Sequence, residues 1–308
     1  MFTKKGLIVL ISVLTVAILI GSSLLFRSRS RSTSVTVTSM DKRPSLSVDN
    51  KAKEERGKKA IRLYEKTISE LPDNPQTAKE WIALAKRYKE EGKLIEAERA
   101  YKEIIQRHPD SPSIKEIETE LGNLNIEMLF SQAPTDKGIV YVVEEGDTLG
   151  RIANKFGTTT QLIIRSNGLK SDMIRIGDHL KVVTAKFSVV VDKSQNILTL
   201  KANEDIIKTY PVSTGYANST PTGTFTIINK LIDPTWYSAN AIVPSGSPKN
   251  ILGSRWMGIS EPRYGIHGTT KPDSIGKQMT AGCVRMYNRD VEELYDILPT
   301  GTEVVIAD

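Results

Sequence analysis

The stretch 266–286, IHGTTKPDSIGKQMTAGCVRM, holds the residues around which the rest of the chain is organised. It contains Cys283, the only cysteine among 308 residues, and His267, one of three histidines. A thiol attacks as the thiolate, and a neighbouring imidazole is the usual means of forming one. Gly268 and Gly282 flank the two side chains. The pair predicts an acyl-transfer site, and the alternative is a buried thiol beside a core histidine.

Three motifs in the C-terminal part carry a resemblance to a known family. HG at 267–268 and TAGCVR at 280–285 follow the pattern H-G … [ST]-x-G-C-h-R/N, and TPTGTF at 220–225 forms a second motif. Together with the run 288–306, they resemble the L,D-transpeptidase family, also called the YkuD family. Many members have a second histidine two residues before the cysteine, where this chain has Ala281.

The resemblance implies a mostly-β catalytic domain over residues 186–308 and a reaction that needs no cofactor. Cys283 would attack the carbonyl before the D-alanine at position four of a peptidoglycan stem, and His267 would accept the thiol proton or hold it as an ion pair. Transfer of the acyl group to an amine of a second stem would give a 3→3 cross-link. Transfer to water would make the enzyme an L,D-carboxypeptidase. No metal is expected, because the scattered histidines and single cysteine lack zinc-like spacing.

The neighbours of the pair are expected to support it. The amides of Gly282 and Cys283 would bind the oxyanion, because glycine allows close approach of the main chain. The carbonyl of Gly268 would orient the imidazole. Arg285 shares a strand face with the nucleophile and could hold a substrate carboxylate; the alternative is a structural ion pair. Two hydroxyl residues complete the predicted substrate-binding set and are expected to brace the loop by hydrogen bonds: Ser274 and Thr280.

Short β-branched runs bounded by Gly, Pro, Asn and Ser predict the strands of the catalytic domain. One helix is expected at 288–298, and the Pro-Gly-Ser stretch 242–249 is expected to form a loop over the site. The predicted strands lie at 186–192, 197–201, 206–212, 223–229 and 303–306.

The segment 140–183 resembles a LysM domain, for which we take the bounds 139–184. Its pattern predicts a strand, two helices and a closing strand, with Thr148 placed to cap the first helix. The resemblance implies binding of N-acetylglucosamine-containing glycan, here peptidoglycan. The motifs that carry it are YVV at 141–143, GDTL at 146–149, NG at 167–168 and IGDHL at 176–180. The implied glycan-binding residues are Gly146, Asp147, Thr148, Asn167 and Ile174.

Residues 56–130 have a helical pattern that repeats at an offset of 37. The pattern resembles a tetratricopeptide repeat and predicts helical hairpins. Two roles stay open, a groove for a protein partner and a spacer that holds the enzyme away from the membrane. The repeating residues are Ala60, Tyr64, Ile68 and Pro72, then Ala97, Tyr101, Ile105 and Pro109; Trp81, Leu84, Ala85, Tyr88 and Gly92 match a first repeat helix.

The N-terminal part combines an apolar run with basic flanks. Residues 6–26, GLIVLISVLTVAILIGSSLLF, are uncharged and long enough to cross a hydrocarbon core of about 30 Å. They follow a short tail, 1–5, and precede a flexible basic linker, 27–55. We predict an uncleaved signal anchor, and the alternative is a cleaved signal peptide.

Charge separates this tether from the folded part of the chain. Residues 1–62 carry 13 Lys or Arg against 4 Asp or Glu, whereas the remaining residues carry 29 against 32. The folded part therefore has no basic excess of the kind that nucleic-acid binding needs. A basic tether suits an anionic bilayer or wall polymer instead.

These patterns together predict a multidomain, single-pass membrane protein whose LysM and catalytic domains lie on the outer side of a bacterial membrane. The predicted function is peptidoglycan L,D-transpeptidation. The alternatives are an L,D-carboxypeptidase, a non-catalytic LysM wall anchor, and a scaffold whose helical region recruits protein partners. The order His before Cys, the short gap and the β-rich setting disfavour a papain-type peptidase.

Overall fold

The computed structural model describes residues 66, 75–237 and 241–308, all within one compact unit that spans 56–308. The predicted tail, apolar anchor and basic linker lie outside the described residues, as does most of 56–74. Within the described part of the chain, no helix has both the length and the apolar character needed to cross a membrane.

Three helices open the described part of the chain, in agreement with the helical pattern of this region. The first two form a hairpin whose turn contains Gly92 at a φ of +71°, a conformation that favours glycine. A stripe of buried side chains, including Trp81, Leu84 and Tyr101, joins them. A tetratricopeptide fold stays a prediction. The helices are α1 Pro75–Glu90, α2 Leu94–Arg107 and α3 Ile114–Leu129.

The LysM segment has the predicted order of strand, two helices and strand. Thr148 caps the first helix, because its hydroxyl accepts a hydrogen bond from Arg151 N at 3.2 Å, which confirms the predicted cap. The first strand ends at Val142, and the amide of Glu144 then donates to the Asp147 carboxylate instead of the strand ladder. The elements are β1 Gly138–Val142, α4 Leu149–Phe156, α5 Thr160–Asn167 and β2 His179–Val183.

An eight-stranded sheet forms the centre of the C-terminal domain. All five predicted strands and the predicted helix are present with small shifts at their ends. The strands that the sequence did not predict are short: three of them, 255–259, 265–267 and 284–285, pair within this sheet, and the other four form two separate two-stranded sheets. The elements are β3 Phe187–Asp192, β4 Ile197–Ala202, β5 Asp205–Pro211, β6 Thr214–Gly215, β7 Gly223–Ile232, β8 Trp236–Tyr237, β9 Ile242–Val243, β10 Arg255–Ile259, β11 Gly265–His267, β12 Gln278–Thr280, β13 Val284–Arg285, α6 Asn288–Ile297 and β14 Glu303–Ala307. The strand order in the eight-stranded sheet is β13-β11-β10-β7-β14-β3-β4-β5.

Helix α3 packs on the edge of this sheet. Ile126 and Leu129 join the hydrophobic core of the C-terminal domain. Asn125 Nδ2 donates to the carbonyl of Ile207 on strand β5 at 2.9 Å. The helical region is therefore continuous with the catalytic core.

The LysM segment is tied to both of its neighbours. Lys181 Nζ donates to the carbonyl oxygens of Met128, Ser131 and Ala133 at 2.7, 2.8 and 2.7 Å. These bonds supply donors for carbonyl groups in the last turn of α3 and just after it, which lack partners within the helix. Burial lowers the pKa of Lys181 to about 8. On the other side, Arg165 forms an ion pair with Asp296 of α6 at 2.8 Å.

Leu162 of α5 is fully buried in the same core as the catalytic sheet. We expect Leu162→Ala to lower the free energy of unfolding of the catalytic domain by about 2–5 kcal/mol, because it opens a cavity in that shared core. Urea unfolding followed by tryptophan fluorescence measures this, since Trp236 and Trp256 lie in the catalytic domain. The exposed neighbour supplies the control, and Gln161→Ala should change stability by less than about 0.5 kcal/mol. An unchanged fluorescence transition in Leu162→Ala would contradict the shared core.

Candidate active site

Two short parallel strands bring the predicted catalytic residues together. Strands β11 and β13 pair in a register that sets His267 opposite Arg285, and Cys283 immediately precedes β13. All three side chains line one cavity of about 720 Å³. Apolar and aromatic side chains form much of its wall, among them Trp236, Leu252, Trp256 and Tyr264.

The imidazole of His267 is held in one tautomer. Its Nδ1 lies 2.7 Å from the carbonyl oxygen of Gly268, which can only accept a hydrogen bond. Nδ1 therefore carries the proton, and Nε2 keeps a lone pair that can accept one. This geometry agrees with the orienting role predicted for Gly268.

The electrostatic environment keeps His267 neutral. The side chain is only 2% exposed. The pKa of His267 is lowered to about 4, chiefly by burial; the positive charge of Arg285 acts in the same direction, and hydrogen bonds to the backbone of Gly268 and Leu252 oppose both effects. At neutral pH the ring is therefore an uncharged base.

The thiol of Cys283 is also uncharged in this environment. Its Sγ lies 3.7 Å from the carbonyl oxygen of Arg263. Burial raises the pKa of the Cys283 thiol, and the Gly265 backbone and the charge of Arg285 offset only part of that rise. The resting site accordingly holds a thiol and a neutral imidazole. This state corresponds to the first of the two possibilities that the sequence left open, proton acceptance by His267, and the choice between them stays a prediction.

The loop before the nucleophile is braced by Thr280, as predicted. Thr280 Oγ1 donates to the carbonyl of Cys283 at 2.7 Å and accepts from the amide of Gly282 at 3.1 Å. This second bond corrects the expectation for Gly282, because its amide is already engaged. Within residues 75–237 and 241–308, the amide of Cys283 has no hydrogen-bond partner. The Cys283 amide is therefore the better oxyanion donor.

Gly282 has a second function that the sequence did not indicate. Its φ is +129°, and a Cβ at this position would collide with the ring of Tyr264. Only glycine lets the loop pass this close to the cavity wall.

Arg285 is a buried cation with spare hydrogen-bonding capacity. It is 7% exposed, and its Nη1 donates to Ser274 Oγ at 3.0 Å. Its Nε is buried without a partner in the part of the chain that the structure describes, and no carboxylate there forms an ion pair with it. The alternative of a structural ion pair is thus not supported by the described residues.

Ser274 supports Arg285 and its own turn. Its Oγ donates to the carbonyl of Lys271 at 2.7 Å while it accepts from Arg285. Its carbonyl accepts a hydrogen bond from Ser213 Oγ. These bonds match the bracing role predicted for Ser274 and place it behind the guanidinium, away from the described lining of the cavity.

Residues on either side of the predicted loop 242–249, and not the loop itself, line the cavity. Among the described residues, the cavity lining includes 234–237 and 251–252, and none of 242–249. Asn250 fixes this region, because its buried Nδ2 donates to the carbonyls of Pro234, Val243 and Pro244 at 2.8, 3.3 and 3.2 Å. The Pro-Gly-Ser composition identified the loop and missed the segments that line the cavity.

Trp256 is a site residue that sequence reasoning missed. It lies opposite His267 across strands β10 and β11, with the ring centroids 5.9 Å apart and the planes at 22°. Its indole Nε1 donates to Asn229 Oδ1 at 3.0 Å. The five-residue strand that carries it gave no signal in the sequence.

The predicted glycan-binding residues of the LysM segment divide into two groups. Gly146 is exposed and Ile174 is half-buried, so both can meet a ligand. The other three have their polar groups in internal hydrogen bonds. Asp147 accepts from Tyr141 Oη and Glu144 N, Thr148 caps α4, and the side chain of Asn167 pairs with the backbone of Lys181. A glycan-binding role for any of these residues stays a prediction.

No group of three or more His, Cys, Asp or Glu side chains among residues 66, 75–237 and 241–308 is arranged to hold a metal ion.

Comparison with protein families confirms both resemblances of the C-terminal half. Residues 186–306 match the L,D-transpeptidase catalytic domain, and residues 141–183 match the LysM domain. The chain is 36% identical over 175 residues to the putative L,D-transpeptidase YkuD of Bacillus subtilis, which is 54% of this chain and 98% of that protein. The putative L,D-transpeptidase YkuD of Bacillus licheniformis is 36% identical over 176 residues, again 54% of this chain and 98% of that protein. The putative L,D-transpeptidase YqjB of Bacillus subtilis is 37% identical over 126 residues, 39% of this chain and 70% of that protein.

The neutral state of the thiol and imidazole predicts how Cys283 reacts at different pH. We expect its alkylation by iodoacetamide to keep rising with pH above the ordinary thiol pKa of about 8.5, because burial raises the pKa of this thiol. The single cysteine makes intact mass an unambiguous readout, and the urea-unfolded chain gives the reference profile. A rate that is independent of pH between about 5 and 8 would show a stored thiolate–imidazolium pair instead.

Proposed function

Because this chain belongs to the L,D-transpeptidase (YkuD) family, we propose that Cys283 is its nucleophile and forms a thioester with a peptidoglycan stem tetrapeptide. The chain is an enzyme of the L,D-transpeptidase class, with its catalytic domain at 186–306. One observation carries the proposal: His267, Cys283 and Arg285 line a single cavity across the β11–β13 pair.

In the acylation step His267 acts as the base through Nε2, which is unprotonated in the tautomer described above. Nε2 takes the thiol proton as Sγ attacks the carbonyl carbon that precedes D-alanine. The oxyanion that forms accepts a hydrogen bond from the Cys283 amide. As the C–N bond breaks, the electron pair stays on the leaving nitrogen, and Nε2 returns the proton to it. D-Alanine leaves and the acyl group remains on sulfur.

The second half of the reaction reverses these proton transfers. An amine of a second stem attacks the thioester and gives its proton to Nε2 of His267. The C–S bond breaks, and the thiolate takes that proton back as the new amide forms. The product is a 3→3 cross-link. If water attacks instead of the amine, the product is a free carboxylate and the enzyme acts as an L,D-carboxypeptidase.

Arg285 is proposed to hold a carboxylate of the substrate. A buried guanidinium with an unpaired Nε has donors left for a planar anion. Its charge also lowers the pKa of His267 in the free enzyme. A carboxylate bound to Arg285 offsets that charge, so the substrate itself makes the imidazole a stronger base.

The other segments are proposed to bring this site to the wall. The LysM segment supports binding of the glycan strand, with Gly146 and Ile174 available to a ligand. The apolar run 6–26 would anchor the chain in the membrane, with its folded part on the outer side. The helical region would act as a spacer or as a docking site for a protein partner.

Intact-mass spectrometry of the full chain with disaccharide-tetrapeptide tests the function. Wild type should gain an acyl adduct, release D-alanine and form muropeptide dimers, whereas Cys283→Ala should do none of these. Adduct formation and D-alanine release without dimers would indicate the carboxypeptidase. The absence of adduct and turnover in wild type, with glycan binding intact, would contradict the proposal and favour a wall anchor.

Substitution of Arg285 separates substrate binding from chemistry. We expect Arg285→Gln to raise KM by roughly ten- to a hundred-fold, because a charge-assisted hydrogen bond contributes about 1.5–3 kcal/mol. It should also raise the pKa of His267 in the free enzyme, since the charge of Arg285 lowers it. Arg263→Gln, at an exposed residue of the cavity wall, is the matched control and should have a much smaller effect. An unchanged KM in folded Arg285→Gln would rule out carboxylate binding.

A further inference from the structure

We propose that Asn288, the first residue of helix α6, positions the imidazole of His267 through an intervening peptide group. The catalytic consequence rests on the function proposed above, whereas the effect on the ring itself does not.

A continuous chain of hydrogen bonds connects the two side chains. Asn288 Oδ1 accepts from the amide of Thr269 at 2.9 Å. That amide and the carbonyl of Gly268 belong to the same peptide group. On its other side, the Gly268 oxygen accepts from His267 Nδ1 at 2.7 Å. The order is therefore carboxamide, peptide, imidazole.

The backbone of His267 is held separately from its ring. The amide of Met286 donates to the His267 carbonyl at 2.8 Å, and the amide of Gly268 donates to the Arg255 carbonyl at 3.1 Å. These bonds fix the strand. The tautomer and tilt of the ring depend instead on where the Gly268 carbonyl points, which is set by the plane of the 268–269 peptide.

Asn288 fixes the plane of that peptide by contacts on two loops. Its Oδ1 also accepts from the amide of Ser254 at 3.3 Å, which joins the 253–254 turn to the 268–269 peptide. A Cβ at Gly268 or at Gly253 would collide with this oxygen. Both glycines are therefore needed for the carboxamide to reach the two amides.

When the N–H of a peptide group donates a hydrogen bond, the carbonyl oxygen of the same group becomes a stronger hydrogen-bond acceptor. When Oδ1 accepts the Thr269 N–H, electron density shifts toward the Gly268 oxygen. That oxygen then holds the Nδ1 proton more strongly and stabilises the imidazolium that forms when Nε2 takes the thiol proton. A carboxamide thus orients the histidine, with one peptide between them.

Two substitutions that keep the branched shape of the side chain separate hydrogen bonding from packing. Asn288→Asp keeps an oxygen acceptor, whereas Asn288→Leu removes it. Residue 288 is exposed, so neither change empties the core. Asn154→Leu is the control for the effect of an asparagine-to-leucine change as such. Asn154 is exposed on α4 of the LysM segment, distant in sequence from residue 288.

The first readout is the tautomer of His267 by ¹⁵N NMR of the full chain, which is tractable because there are only three histidines. Wild type, Asn288→Asp and Asn154→Leu should show protonated Nδ1. Asn288→Leu should show a mixture of tautomers. An unchanged tautomer in Asn288→Leu overturns the proposal, and this arm does not depend on any activity.

The second readout is the steady-state rate of D-alanine release. Asn288→Leu should lower kcat by roughly ten- to a hundred-fold with little change in KM, as expected for a misoriented base. Asn288→Asp should stay within about three-fold of wild type. Equal losses in both variants would show a structural role only and overturn the proposal. If wild type releases no D-alanine, the proposed function fails, and the tautomer alone decides the role of Asn288.

Discussion

The parallel pairing of β11 with β13 is the constraint on which the rest of the site depends. These strands contribute three and two residues, yet their register sets His267 beside Arg285 and leaves Cys283 at the point where β13 begins. So short a pair is stable only because β10, the wider sheet and helix α6 pack against it. The catalytic geometry is therefore a property of the whole sheet and is lost if the sheet is incomplete.

Burial determines the electrical state of the site. Removing His267 and Cys283 from water favours the uncharged form of each, so burial lowers the pKa of the imidazole and raises that of the thiol. Arg285 is the one permanent charge among the three, and its Nε has no partner among the described residues. If Arg285 binds a substrate carboxylate as proposed, the ligand neutralises this charge and thereby raises the pKa of His267. Substrate binding and the basicity of the imidazole would then be coupled.

Local patterns in the sequence predicted strands at 186–192, 197–201 and 223–229, a helix at 288–298 and the capping role of Thr148, because each is encoded by neighbouring residues. They also singled out Cys283 and His267, which line one cavity in the structure and whose catalytic roles stay a proposal. Trp256 was missed, as was Asn288 in the role proposed for it, because their contacts arise from pairing across the sheet and between loops distant in sequence. The engagement of the Gly282 amide by Thr280 was likewise invisible, because composition does not reveal which amides have partners.

An open sheet always has two edges, and one of them in this protein is strand β5. The unpaired backbone groups of an edge strand are a template for pairing with a second chain, and natural proteins cover, charge or shorten such strands. Here helix α3 lies across β5, and its Asn125 occupies the carbonyl of Ile207. The helix therefore covers part of this edge and reduces the number of β5 backbone groups with which a second chain could pair. A relative that lacked this helix would need another way to protect that edge.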